Sequence, residues 1–179
     1  MKRLVSLAAA FIMSAALVTS CGQKQEKPVS NPAVSQQSEN YEDALKECFD
    51  ASFSTNGGEA FYSYMYPDAY IQDMKDKGEF DSAVSDFNKQ QKNRSDLADN
   101  EYTFGQIKNS FPVTDEQITK IKDYFVKQCA ERVELSADNI DITEGYEVSY
   151  TYLKNGKEDG NDAAIAVKIS GEGWKVIPG

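Results

Sequence analysis

Residues Val148–Ile177 read VSYTYLKNGKEDGNDAAIAVKISGEGWKVI, and the spacing of the apolar side chains in this stretch decides the fold class. Val148, Tyr150 and Tyr152 recur at every second position, as do Ile165, Val167 and Ile169, and then Trp174 and Val176. A period of two belongs to strands that turn one face toward a core. Asn155-Gly156 falls in the first connection and Gly171-Glu172-Gly173 makes the second, the residue types that reverse a chain between strands. Three C-terminal antiparallel strands are expected, with helices packed across one face of the sheet.

Upstream the period lengthens. Thr114-Asp115-Glu116-Gln117 is a capping box, with Thr114 placed over the amide of Gln117 and acidic residues in the first turn. Ile118, Ile121, Phe125, Cys129 and Val133 follow at helical steps and define one long helix. Before it, Glu101–Ser110 alternates around Tyr102, Phe104 and Ile107 and reads as an isolated strand. Earlier still, Leu45, Cys48, Phe49 and Phe53 share one face of a helix that starts at Tyr41 and is stopped by Asn56-Gly57-Gly58. A short helix over Glu59–Tyr66 follows, Pro67 restarts the chain toward Lys77, and Phe80, Val84 and Phe87 begin a further helix that fades into polar Asn88–Asn100. The class is α+β, in one domain spanning 41–179.

Composition removes whole families of function. The 179 residues contain no histidine, 19 Lys plus Arg and 29 Asp plus Glu, for a formal charge of −10. Without imidazole there is no Ser-His-Asp or Cys-His unit and no imidazole metal site. The acidic balance argues against nucleic acid, which rewards clustered basic residues. No phosphate-binding glycine loop and no Cys-x-x-Cys pair is present. The acidic groups Asp138, Asp141 and Glu144, and Glu158, Asp159 and Asp162, do not follow a calcium-loop pattern and read as solvated turns. No metal and no cofactor is expected.

The N-terminus carries an address. Lys2 and Arg3 precede Leu4–Val18, a run of 15 residues without charge, which matches a secretory leader and is short for a permanent membrane span. It ends in Leu17-Val18-Thr19-Ser20-Cys21. This segment resembles the lipobox of bacterial lipoproteins. That resemblance implies attachment of diacylglycerol to the Cys21 sulfur, cleavage between Ser20 and Cys21, acylation of the new amino group by palmitate-type chains, and a place on the extracytoplasmic face of the cell membrane, residues 1–20 being removed. Loss of residues 1–20 takes the formal charge from −10 to −12, so the lipid, not the protein surface, holds the chain to the membrane. Gly22–Asn40, rich in Pro, Ser and Gln, reads with Cys21 as a tether over 21–40, reaching about 25 Å.

The order of elements (helices, one strand, a long helix, then a meander closing in Gly171-Glu172-Gly173-Trp174-Lys175-Val176-Ile177) resembles the NTF2-like (cystatin-like) superfamily, as does the Tyr66-Pro67-Asp68-Ala69-Tyr70 step. The resemblance implies a curved antiparallel sheet wrapped as a cone around the long helix. Some members are isomerases or dehydratases using a Tyr hydroxyl with an Asp or His. No Asp here matches such a motif.

Two further features bear on function. Cys48 and Cys129 are the pair left once Cys21 is lipidated; they form either a disulfide, permitted in an exported protein, or two separate buried thiols. Tyr62, Tyr64, Tyr66 and Tyr70 crowd one short segment and serve either as a stacking surface for sugars or peptides or as core with hydroxyls at the rim. The resulting expectation is a lipid-anchored, non-catalytic module that binds a small ligand, an envelope polymer or a surface protein. Its rivals are an NTF2-like enzyme with a Tyr/Asp pair and a structural accessory subunit of a surface complex.

Overall fold

The computed structural model describes residues Ser38–Gly179, so the leader, the Ser20/Cys21 cleavage and lipidation site and nearly all of the proposed tether lie outside the described residues. Helix α1 spans Tyr41–Ser52, and Asn40 caps it by accepting a hydrogen bond from the Asp43 amide. Its inward face is Ala44, Leu45, Cys48 and Phe49, the expected helical stripe. Helices α2 (Gly58–Met65), α3 (Asp68–Asp76), α4 (Phe80–Asn93) and the short α5 (Ser95–Ala98) follow, with Pro67 directly ahead of α3. Strand β1 is Tyr102–Pro112, two residues longer at its end than expected. Helix α6, Asp115–Cys129, begins with both halves of its capping box formed: Thr114 Oγ1 accepts from the Gln117 amide at 3.3 Å and Gln117 Oε1 accepts from the Thr114 amide at 2.8 Å. Val133 lies beyond this helix and packs beside Leu135 against α2–α4.

Strands β2 (Ile142–Lys154), β3 (Lys157–Ile169) and β4 (Gly173–Pro178) complete a four-stranded antiparallel sheet in the order β1-β2-β3-β4. Asn155 and Gly156 have φ of 52° and 75°, the left-handed values that a tight two-residue hairpin requires. The fold is therefore α+β, helices followed by an antiparallel sheet.

Two expectations are corrected. The sheet is not strongly curled, and it is not seen wrapped as a cone around the long helix. Helices also do not share one face. Ala164 and Ala166 of β3 pack with Trp174 and Val176 against α1, while the intervening Ile165 and Val167, with Ile169, pack against Ile121 and Phe125 of α6. Successive residues of a strand point to opposite sides, so α1 and α6 cover opposite faces. Gly145 marks how close the α6 side is packed, since a Cβ there would lie 2.6 Å from Val113 Cγ2 and 3.0 Å from Val167 Cγ1.

Of the two alternatives left open for the cysteines, the structure takes the second. Cys48 sits in the core between α1 and the sheet, Cys129 in the separate core of α2–α4, and both are free and buried. Each end is fixed in its own packed cluster, so the pair acts as two small hydrophobes and not as a bridge. Burial pushes the Cys48 thiol up to about 12, and burial together with Glu172 pushes that of Cys129 up to about 11, which keeps both as unreactive thiols. Unreduced protein is expected to alkylate at both Cys48 and Cys129 once denatured and at neither while folded; an unreduced denatured chain that takes no label at these two positions contradicts the fold.

Candidate functional site

The four clustered tyrosines divide between two cores. Tyr62 and Tyr66 lie one helical turn apart and Tyr70 follows from α3. Their rings stack in series, with centroids 5.4 Å apart for Tyr62–Tyr66 and 4.5 Å for Tyr66–Tyr70. The Arg132 guanidinium closes the series 5.2 Å from the Tyr70 centroid and pairs with Glu79 at 2.7 Å. Ring faces used against one another are not free to stack on a ligand. Tyr62 and Tyr70 are buried and Tyr66 is half-buried, so the series is packing with hydroxyls at its rim. Tyr64 points the other way, into the α1–sheet core, where its hydroxyl donates to Glu47 and meets Ser38 Oγ at 2.9 Å. The tyrosine–carboxylate pair of this cluster is Tyr64–Glu47, which joins α2 to α1, and the Ser38 contact ties the start of the described chain to it.

A second polar group centres on a lysine that the strand alternation alone does not single out. Lys175 of β4 is completely buried between Trp174 and Val176. Its Nζ donates to Asp68 Oδ1 at 2.8 Å and to the Ser63 carbonyl at 3.1 Å, and lies 3.7 Å from Glu172 Oε2. That same Glu172 oxygen accepts the Asp68 amide at 2.9 Å, an acidic cap on the first turn of α3. A buried ammonium is tolerable only when paired and hydrogen-bonded. The sequence sign was available: one charge inside the apolar run Trp174–Ile177. With no access to solvent, this lysine holds α2, α3 and β4 together and offers nothing to a substrate.

Two large apolar side chains stay in solvent near one sheet face, beside a small dimple. Cross-strand partners place Phe111, Glu147, Ile165 and Ile177 in one row across all four strands. Ile165 and Ile177 floor a dimple of about 200 Å³ walled by Gln117, Lys120, Ile121 and Tyr124 of α6. Phe111 is 63% exposed and Tyr124 38%, the two large apolar side chains left in solvent among the described residues. Phe111 stands two strands from Ile165, about 10 Å. The alternation around Tyr102, Phe104 and Ile107 marks β1, but Phe111 lies one residue past the expected end of that strand.

The acidic groups considered for calcium are spread along exposed positions, Glu158 pairing at 3.6 Å with Lys108, and no cluster able to hold a metal ion occurs among the described residues. Nor is any helix among them long and apolar enough to cross a membrane. No family model, curated protein or solved structure matches this chain.

Burial raises the phenols of Tyr62, Tyr64 and Tyr66, Tyr64 to about 12 with Glu47 adding to the shift. A folded-state value above the unfolded one, near 10, means that the folded chain keeps protons that the unfolded chain gives up. This stability is complete below about pH 10 and drains away as the pH climbs toward 12. Thermal melting is expected to fall across that window, with delayed phenolate absorbance, and less steeply in Tyr64→Phe. Titration of every tyrosine near its ordinary value with the fold intact contradicts this.

Proposed function

We propose that the chain is a lipid-anchored extracytoplasmic module, NTF2-like in element order, that binds a partner protein without catalysis. The Leu17-Val18-Thr19-Ser20-Cys21 segment supports the anchor, and the order of helices, single strand, long helix and meander supports the superfamily resemblance. The observation that carries the binding role is the exposure of Phe111 and Tyr124 on the α6 side of the sheet, Phe111 in one cross-strand row with Glu147, Ile165 and Ile177, and Tyr124 bordering a dimple. Exposed apolar side chains bordered by polar ones, here Gln117 and Lys120 with Glu147 between Phe111 and Ile165, are a usual mark of a protein-binding patch. The dimple is shallow for a small-molecule site, which ordinarily encloses roughly 300 Å³ or more. The stacked tyrosines carry less of the role, their faces being used internally.

The test places a photo-reactive phenylalanine analogue at 111, 177 or 92 in the anchored full chain on intact cells. Discrete adducts are expected from 111 and 177 and none from 92, which lies on α4; no adduct at 111, or equal labelling at 92, overturns the reading. In the same cells wild-type chain takes up labelled palmitate and Cys21→Ala does not, and label on Cys21→Ala overturns the anchor.

A further inference from the structure

The chain contains two Asn-Gly steps, Asn56-Gly57 and Asn155-Gly156, and the fold treats their carboxamides in opposite ways. Asn155 is clasped from both sides. Its Oδ1 accepts the Glu101 amide at 2.8 Å, its Nδ2 donates to Asn100 Oδ1 at 3.1 Å, and its own amide donates to the Glu101 carbonyl at 2.8 Å. Asn56 lies exposed in the turn between α1 and α2. Its backbone amide donates to Ser54 Oγ at 3.2 Å, and no hydrogen bond holds its side chain among the described residues. The next amide, Gly57 N, is bound only by a long 3.3 Å contact to the Ser54 carbonyl.

From this contrast we infer that Asn56 is a site of spontaneous deamidation and that Asn155 is protected from it. Gly57 N, on losing its proton to hydroxide, attacks Asn56 Cγ; the new C–N bond closes a five-membered imide as the side-chain nitrogen leaves as ammonia. Water then adds to either imide carbonyl and reopens the ring to aspartate or isoaspartate. The balance is one water consumed and one ammonia released, with no oxidant or reductant. The carbon must swing toward the following amide, and a carboxamide fixed at both heteroatoms cannot reach that geometry.

The two products differ in consequence. Aspartate at 56 brings a negative charge to the start of α2, where Gly57 supplies no side-chain cap, a favourable place for an anion. Isoaspartate lengthens the backbone beside Gly57, which is packed so closely that a Cβ there would stand 2.2 Å from the Ala51 carbonyl oxygen. That form loosens the α1–α2 turn and adds one negative charge to an already acidic chain.

The full chain, aged in warm, mildly alkaline buffer, is digested and its peptides mapped for conversion of amide to acid. Residue 56 is expected to convert roughly ten-fold or more faster than residue 155. In denaturant the two are expected to convert at similar rates, and Asn100→Ala, which removes one hold, raises conversion at 155 several-fold in the folded chain. Conversion at 155 equal to or faster than at 56, or the same ratio folded and denatured, overturns the inference.

Discussion

A single buried positive charge organises the junction between the helical half and the sheet. The Lys175 ammonium meets Asp68, Glu172 and the Ser63 carbonyl, which belong to α3, the β3–β4 turn and α2. Taking an ammonium out of water costs several kcal/mol unless opposite charge and hydrogen bonds replace the lost hydration. The Tyr66-Pro67-Asp68 step is therefore held against the edge strand, because that is where the carboxylate must stand. Tyr66 and Tyr70 flank that step, and their stacking with Tyr62 and with Arg132 follows from its position. The same requirement fixes the start of α3, which is capped by the second carboxylate.

On the sheet side, β3 is covered twice. Ala164 and Ala166 let α1 approach closely, while Ile165, Val167 and Ile169 face α6. Helix α6 covers the face around Val167 and Ile169 and also reaches Ile165, Ile177 and Glu147 of the cross-strand row, while Phe111 at the β1 end of that row stays exposed. Phe111 on the edge strand β1 and Tyr124 on α6 are what remains exposed on this side, and the partner-binding role proposed for this chain rests on them.

Most elements were legible because their periods were long and clean. The capping box at Thr114, the stripe from Leu45 to Phe49 and the alternation from Val148 to Tyr152 each became the element expected. The side taken by α6 was not legible, since alanine is too weakly apolar to announce a second buried face, and Ala164 and Ala166 passed unread between larger neighbours. The tyrosine cluster was visible as composition, yet period alone cannot say that Tyr64 turns away from Tyr62 and Tyr66 into another core. Nor does the chain order reveal that Cys48 and Cys129 belong to different clusters. Lys175 could be seen as an anomaly in an apolar run, but its partners, more than a hundred positions earlier at Ser63 and Asp68, are brought to it only by tertiary packing.

The most direct measurement compares the unfolding free energies of Lys175→Met with those of the double variant Asp68→Asn/Glu172→Gln. Methionine removes the buried charge and keeps much of the stem, so its cost is expected to stay near about 1 kcal/mol, whereas neutralising both carboxylates strands the ammonium and is expected to cost about 2–4 kcal/mol. A double variant as stable as wild type, or a Lys175→Met chain that loses more than the double variant, contradicts a sheet and helical layer joined through a compensated buried cation.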